Sequence, residues 1–171
     1  MFETPHPQAP LTQGDLFADC PLLGIQTDAL PVDLVNYKVQ RWAAPVIVLT
    51  QACDLAQGKA ERVLVARVHR AQQLVDQGLV KAAVVRDQVR RHLVFGWYFI
   101  PAATTPVTLP ESLVDLRDIH SVPRVVLEQL IAEGKRVASL QSPYREHLAQ
   151  HFAVTYMRVA LPEPYDTKPS R

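Results

Sequence analysis

The apolar residues of this chain fall into short runs, and this pattern restricts the fold more than any other feature. The longest runs, residues 43–49 and 93–100, are far shorter than the ~20 apolar residues that a membrane-spanning helix needs. Several runs are rich in β-branched and aromatic residues and end at turn residues, which is typical of short strands. The pattern predicts a small sheet and no membrane insertion.

The individual strands follow from the same pattern. Residues 32–42 alternate apolar with polar side chains, and residues 45–50 (PVIVLT) form a continuous β-branched run. They predict a half-exposed strand followed by a buried one. Residues 62–68 alternate again and are expected to pair with the buried strand as a hairpin. Later strands are predicted at residues 93–100, with Gly96 as a bulge, and at residues 113–116 and 136–140.

Helices are predicted mainly in the second half of the chain. Residues 71–91 favour two short helices separated at Gly78, and residues 123–132 favour another. Ser142 can cap a last, longer helix with Pro143 at its first position. Its apolar stripe repeats every four residues, at Tyr144, Leu148, Phe152 and Tyr156.

These elements predict an α+β fold. The regular βα alternation of a doubly wound fold is missing, so we expect a small antiparallel or mixed β-sheet with appended helices, including a long C-terminal helix. An SH3-like, partly closed barrel is the finer expectation. The chain has 171 residues, enough for one domain, predicted over residues 13–161. Prolines predict a flexible lead at residues 1–12 and a flexible tail at residues 162–171.

Composition excludes several classes of protein. Eighteen basic against 17 acidic residues leave a net charge of +1, so binding to nucleic acid would need a local basic patch. Two cysteines, Cys20 and Cys53, are too few for a disulfide scaffold or a thiolate zinc site. The first residues lack the pattern of a signal peptide. We therefore expect a cytoplasmic protein without a cofactor.

The densest group of polar residues follows the most apolar strand. It contains a hydroxyl, an amide, a thiol, a carboxylate and an amine, on Thr50, Gln51, Cys53, Asp54 and Lys59. A rigid strand that delivers such groups at its end is a favourable place for a site. In the alternative interpretation, Gln51 and Asp54 bond the backbone of a turn and Cys53 is a small buried apolar residue.

A catalytic cysteine would need a histidine to activate it and a third group to orient that histidine. The interior candidates are His69, His92 and His120, and Asp118 stands two residues before His120. A hydrolase centred on Cys53 is therefore one hypothesis. His147 and His151, four residues apart on the last helix, would be only half of a metal site, so no metal is predicted and a solvated helix face is expected.

Basic residues gather once in the chain. Arg86, Arg90 and Arg91 lie on or just after the second short helix, and the aromatic residues Trp97 and Tyr98 follow. Phosphate contacts with base stacking could hold single-stranded RNA there. The alternative is a solvated helix face with the aromatic rings in the core.

Three segments resemble the PemK-type (MazF-like) toxins. The first is Gly14-Asp15-Leu16-Phe17, which is similar to the opening of that family's first strand. The second is residues 45–50, which resemble its second strand, and the third is residues 112–123, which are similar to its late strand leading into a helix. The resemblance implies an SH3-like barrel that cleaves RNA without a metal. The family's arginine stands directly before the proline of the second strand, where this chain has Ala44-Pro45. Arg41, three residues upstream of Ala44, is the candidate in its place.

The sequence thus leads to one main hypothesis and two alternatives. The main one is a PemK-like protein that binds or cleaves RNA in a bacterial regulatory or toxin-antitoxin system, as a metal-independent endoribonuclease if it is an enzyme. Candidate catalytic residues are Arg41, Cys53 and Asp54, and candidate RNA-binding residues are Thr50, Gln51, Lys59, Arg86, Arg90 and Arg91. The alternatives are a non-catalytic module that binds a partner protein and the Cys53 hydrolase. A homodimer is left open.

Overall fold

The computed structural model describes residues 1–26 and 37–157 of the chain. In these residues the fold is α+β, with a seven-stranded sheet in the order β1-β7-β2-β3-β4-β6-β5 and antiparallel pairing throughout. The strands are β1 Phe2–Glu3, β2 Asp15–Ile25, β3 Val39–Val48, β4 Arg62–Arg70, β5 Trp97–Ile100, β6 Ser112–Pro123 and β7 Arg136–Leu140. The sheet is open, because β1 and β5 are its two edges and do not pair with each other.

Five helices accompany the sheet in the described part of the chain. They are α1 Ala52–Ala56, α2 Ala71–Asp76, α3 Ala82–Asp87, α4 Arg124–Ala132 and α5 Tyr144–Tyr156, and a single 3-10 turn follows α3 at Val89–Arg91. None of the helices in residues 1–26 and 37–157 has the length and apolar character needed to cross a bilayer.

Both faces of the sheet are covered by apolar packing. On one face, Leu127 and Leu130 of α4 pack with residues such as Val46 and Val63. On the other face, Leu148 of α5 packs in the cluster that contains Tyr98. A third cluster joins α2 and α3 to β5 and β6 through Leu74, Val85, Phe99 and Leu113. Burial of this apolar surface is the main force that holds the helices on the sheet.

The predicted hairpin of the buried strand is confirmed. β3 and β4 pair antiparallel through Val46 with Arg67, Ile47 with Ala66 and Val48 with Val65. The two strands predicted at residues 32–42 and 45–50 are one continuous strand from Val39 to Val48, with Pro45 inside it, and residues 32–36 lie outside the described part. Pro45 is tolerated there because β3 pairs with β4 only beyond it.

Three other boundaries differ from the prediction. β6 runs over 12 residues instead of the predicted four, since polar residues in its second half also pair with β4. β5 begins at Trp97, and Gly96 precedes it with φ 86°, a turn conformation and not a bulge within a strand. α5 is entered through Pro143 as its N-cap, with no side-chain capping bond, so Ser142 does not cap the helix end.

The first twelve residues, predicted as a flexible lead, are connected to the domain by two features. Phe2 and Glu3 pair with Leu140 and Ser139 of β7. The buried Arg136 side chain donates hydrogen bonds to the backbone oxygens of His6, Ala9 and Pro10, at 2.8 to 3.2 Å. Residues 158–161 of the predicted domain and the predicted tail, residues 162–171, lie outside the described residues.

Candidate functional site

The polar cluster after the apolar strand forms the entry to α1. Thr50 Oγ1 accepts a hydrogen bond from the Leu64 amide at 2.7 Å, and the Lys59 amide donates to the Asp54 carbonyl at 3.0 Å. Gln51 is the N-cap residue, but its side chain makes no capping bond. Thr50 and the backbone of Asp54 and Lys59 therefore hold the β3–β4 connection together.

Cys53 is exposed and not buried as the alternative interpretation expected. Its Sγ lies 3.6 Å from Gln51 Oε1 and 3.9 Å from Asp54 Oδ1. A thiol nucleophile needs a histidine within hydrogen-bond reach. Among the hydrogen bonds of the described residues, none joins a histidine to Cys53.

Two of the three arginines of the predicted RNA-binding segment, Arg86 and Arg90, have local acidic partners. Arg86 pairs with Asp87 at 2.8 Å, and both side chains are largely exposed. Arg90 binds Glu111 and lies over the Phe99 ring, 5.3 Å from its centroid. Arg91 is exposed. Arg41 lies on β3 and borders a different groove, whose lining includes neither Cys53 nor Asp54. The predicted site residues are thus distributed over three places.

A different polar centre arises from an irregularity in β6. Ala66 of β4 faces Ile119, whereas the next residue, Arg67, faces Asp115. Residues 116–118 consequently have no partner on β4 and form a three-residue bulge. Bulges of this kind often redirect side chains at functional sites. Here the bulge brings Asp118 within reach of Arg67.

Contacts on both sides stabilise this bulge. The backbone amide and Nε of Arg117 both donate to Asp115 Oδ1, at 3.0 and 2.9 Å. The Arg117 guanidinium lies over the Trp97 ring, 4.8 Å from its centroid. The Tyr156 hydroxyl of α5 donates to the Leu116 carbonyl at 2.6 Å. The bulge is therefore a bonded part of the structure rather than a loose loop.

Asp118 joins two cationic or ionisable side chains. Its Oδ2 accepts from Arg67 Nη1 at 3.0 Å, and its Oδ1 lies 2.8 Å from His120 Nε2. The side chains of Asp118, Arg67 and His120 are 33%, 32% and 17% exposed, so solvent reaches all of them. When the carboxylate accepts from Nε2, the neutral ring keeps Nδ1 free to take a proton.

The indole of Trp42 fixes the other side of His120. The two rings meet edge to face with centroids 5.7 Å apart. Trp42 in turn lies on the backbone of Gly24, where a Cβ would come within 2.9 Å of the indole. The glycine at this position therefore lets the indole lie close to β2, from where it supports the imidazole.

Two concavities flank this centre. One, the arginine groove, has a volume of about 530 Å³ and is bordered by Arg41, Arg62, His120 and Ser121, with Pro21 and Val126 among its apolar walls. The other, the strand cleft, has a volume of about 550 Å³ and contains Arg67, His69 and Arg70. Both volumes are in the ~300–1,000 Å³ range of ligand sites. Asp118 thus links a side chain of the groove, His120, to a side chain of the cleft, Arg67.

A second group of imidazoles, the histidine cluster, consists of His92, His147 and His151. The His92 ring lies 4.6 and 5.6 Å, centroid to centroid, from those of His147 and His151, and 4.7 Å from Tyr98. Burial first, then the neighbouring imidazoles, lowers the pKa of His92 to about 4, and burial also lowers the pKa of His151. The expectation of a solvated face at His147 and His151 is wrong for His151, because its ring is buried against His92 and Tyr98, with Nε2 3.0 Å from the Trp97 carbonyl oxygen.

The described residues contain no group of three or more His, Cys, Asp or Glu side chains arranged to hold a metal ion. The sequence did contain a signal for the Asp118 centre, the Asp-x-His spacing of Asp118 and His120. These residues were considered only as possible partners of a catalytic Cys53. Arg67 was missed because in the sequence it is only one polar residue of an alternating strand.

A comparison with models of known protein families finds no match, and a comparison with curated proteins finds none either.

Proposed function

We propose that the protein binds RNA and cleaves it at the Asp118 centre, as a PemK-like member of a bacterial regulatory or conflict system. One observation carries the proposal: a single carboxylate holds Arg67 with one oxygen and His120 with the other, between two concavities that contain arginines. This assigns the chemistry to residues different from Arg41, Cys53 and Asp54, and leaves Arg41 as a binding residue of the arginine groove.

The side chains suit cleavage by the substrate's own 2′-hydroxyl. His120 Nδ1 takes the hydroxyl proton, the 2′-oxygen attacks the adjacent phosphorus, and the bond from phosphorus to the 5′-oxygen breaks. The leaving oxygen takes a proton from a water molecule or from the imidazolium, and the products are a 2′,3′-cyclic phosphate and a 5′-hydroxyl. Arg67 stabilises the charge that builds on the phosphoryl oxygens.

Local charge supports RNA as the ligand despite the net charge of +1. Arg41 and Arg62 border the groove and Arg70 the cleft, whereas the one acidic residue of the cleft lining, Asp19, pairs with Lys135 at 3.5 Å. Such a local excess of arginine gives phosphate contacts that weaken with salt. Arg117 stacked on Trp97 offers a further cationic surface next to the bulge.

The SH3-like barrel and the kinship with PemK-type toxins remain part of this proposal. Their support is the antiparallel order of β2, β3 and β4, with the first residues of β2 also paired to β7. Asp15 belongs to the GDLF segment that resembles the opening of the toxins' first strand, and it is the first residue of β2. The register shifts in the pairings of β2 with β3 and of β4 with β6 are irregularities of the kind that let a sheet bend toward a partly closed barrel.

The test is an RNA-cleavage assay at low salt with the purified full chain and its His120→Ala variant. We expect cleavage of a mixed-sequence RNA that persists in EDTA and yields a 2′,3′-cyclic phosphate, identified by mass spectrometry. His120→Ala should lower the rate about 100-fold or more, in the range for loss of a general base. Equal rates for the variant and the natural protein would overturn the assignment.

A partner-binding module is the second candidate, favoured by one surface. Leu23, Ile25 and Val39 are 64%, 51% and 53% exposed at the end of the β2–β3 hairpin. Leu23 faces Arg41 and Ile25 faces Val39, so these side chains share one face of the hairpin. Replacing Leu23 and Ile25 with Ser should abolish self-association in light scattering, if that face joins two copies.

A further inference from the structure

The strand cleft exists because β3 and β4 separate. Their pairing consists of three residue pairs and ends at Val46 and Arg67. From there β4 continues along β6 to Arg70, whereas the other part of β3 stays with β2. Pro45 stands at the point of separation and has no N–H with which to extend the ladder. The separation leaves an opening of about 550 Å³ between the strands.

The wall on the side of β2 is bent away at the same level. The pairing of β2 with β3 shifts register between Phe17 and Cys20, opposite Pro45. Ala18 and Asp19 lie in this irregular stretch and line the cleft together with Phe17. The cleft is therefore bounded by two backbone irregularities, one at Pro45 of β3 and one at Ala18 and Asp19 of β2.

The cleft has an apolar floor and a cationic side. Its apolar lining includes Phe17, Val46, Ile100 and Leu109, and its polar lining includes Arg67, His69, Arg70 and Gln73. Arg70 is exposed and has no carboxylate partner in the described residues. Arg67 is bonded to Asp118 through Nη1, so Arg70 is the arginine of the lining that is open to a ligand.

We propose that the strand cleft binds a single nucleoside monophosphate unit. The phosphate is held by Arg70, whose exposed guanidinium can bind two phosphate oxygens at once, while Arg67 borders the cleft from the side of the Asp118 centre. The base lies on the apolar floor, where Gln73 can bond its polar edge. The inference rests on the proposed function and deepens it, because Arg67 belongs both to the cleft and to the Asp118 centre. The unit is then the nucleotide beside the cleaved bond.

Isothermal titration of the full chain with AMP, CMP, GMP and UMP tests this, with inorganic phosphate as a separate titrant. We expect saturable binding of at least one nucleotide, tighter than that of phosphate. Arg70→Gln should weaken it about tenfold, the effect of losing one charge-assisted contact. Lys81→Gln, which removes an exposed cation outside the cleft lining, should leave the affinity unchanged. Absence of nucleotide binding, or binding insensitive to Arg70→Gln, overturns the proposal.

The two sources of such a unit are separated by a second titrant, a short 2′-O-methyl RNA that lacks the attacking hydroxyl. Binding of this RNA tighter than of any mononucleotide, with competition between them, assigns the cleft to a unit of an RNA strand. Equal affinity assigns it to a free nucleotide. Nucleotide binding without RNA cleavage would support the assignment of the cleft and contradict the proposed function. RNA cleavage without nucleotide binding would support the proposed function and contradict the assignment of the cleft.

Discussion

Asp15 and Arg136 form an ion pair that is almost completely shielded from water. Arg136 Nη1 lies 3.1 Å from Asp15 Oδ2, with the side chains 3% and 0% exposed. Ser139 Oγ donates to the other carboxylate oxygen, and the Thr12 amide donates to Oδ2 at 3.0 Å. The arginine also holds the backbone of the first ten residues. Asp15, in the Gly-Asp segment that resembles a toxin motif, thus stabilises the fold through this ion pair.

Removing one partner of this pair should be strongly destabilising. We expect Asp15→Ala to lower the free energy of unfolding by about 3–5 kcal/mol, because Arg136 is left buried without its counter-charge. Asp19→Ala is the matched control on the same strand, since its pair with Lys135 is exposed and should contribute at most about 1 kcal/mol. Urea denaturation of both variants measures the difference. Equal losses would contradict the structural role.

Asp118 should act by holding Arg67 and His120 in position. Asp118→Asn keeps the shape of the side chain and removes its charge, so we expect kcat for RNA cleavage to fall about 100-fold with a small change in KM. Asp87→Asn removes a carboxylate from another Asp–Arg pair, one that lies on the exposed α3, and should leave both constants unchanged. A change in KM alone would assign Asp118 to binding.

The histidine cluster should make stability depend on pH. The pKa of His92 is lowered to about 4 in the folded chain, by burial and by the imidazoles of His147 and His151, against about 6.5 when unfolded. Below about pH 6.5 the unfolded chain therefore takes up a proton that the folded chain refuses until about pH 4. The stabilisation is complete above this window and decreases as the pH falls through it.

His92→Asn should reduce that dependence. Asparagine tolerates the left-handed backbone of this position, φ 55°, so the substitution removes the imidazole with little backbone strain. The decrease in urea midpoint between about pH 7 and about pH 4.5 should be smaller than in the natural protein. Some dependence should persist because burial also lowers the pKa of His151. An identical decrease in the variant would show that His92 is not responsible.

Gly96 should be more sensitive to substitution than other glycines of the same conformation. Gly96 and Gly58 have φ 86° and 68°, so alanine at either is strained by about 1–2 kcal/mol. A Cβ at Gly96 would also lie 3.0 Å from Arg117 Cδ, whereas at Gly58 it meets open space. Gly96→Ala should therefore lose more stability than Gly58→Ala in thermal denaturation. In a chain that already carries Arg117→Ala, Gly96→Ala should cost no more stability than Gly58→Ala, and a persisting excess would rule out this crowding.

Much of the secondary structure could be predicted from local sequence. The β3–β4 hairpin, the two short helices of residues 71–91, α4 and β7 follow from apolar periodicity and turn residues, which act between near neighbours in the chain. The second half of β6 was missed because its residues DIHS carry no apolar alternation. The last three of them, Ile119 to Ser121, extend the strand because β4 offers partners for their backbone.

The candidate site depends even more than β6 on contacts between residues that are far apart in the sequence. The sequence placed Asp118 near His120, since only Ile119 stands between them. Arg67 joins them from 51 positions away, and only the register shift between Ala66 and Arg67 brings its guanidinium to the carboxylate. Likewise, His92 reaches His147 and His151 because α5 packs on the sheet. Local periodicity and turn residues determined most of the strands and helices, whereas pairing register and helix packing decided the full extent of β6 and which polar groups meet, because those contacts depend on residues far apart in the chain.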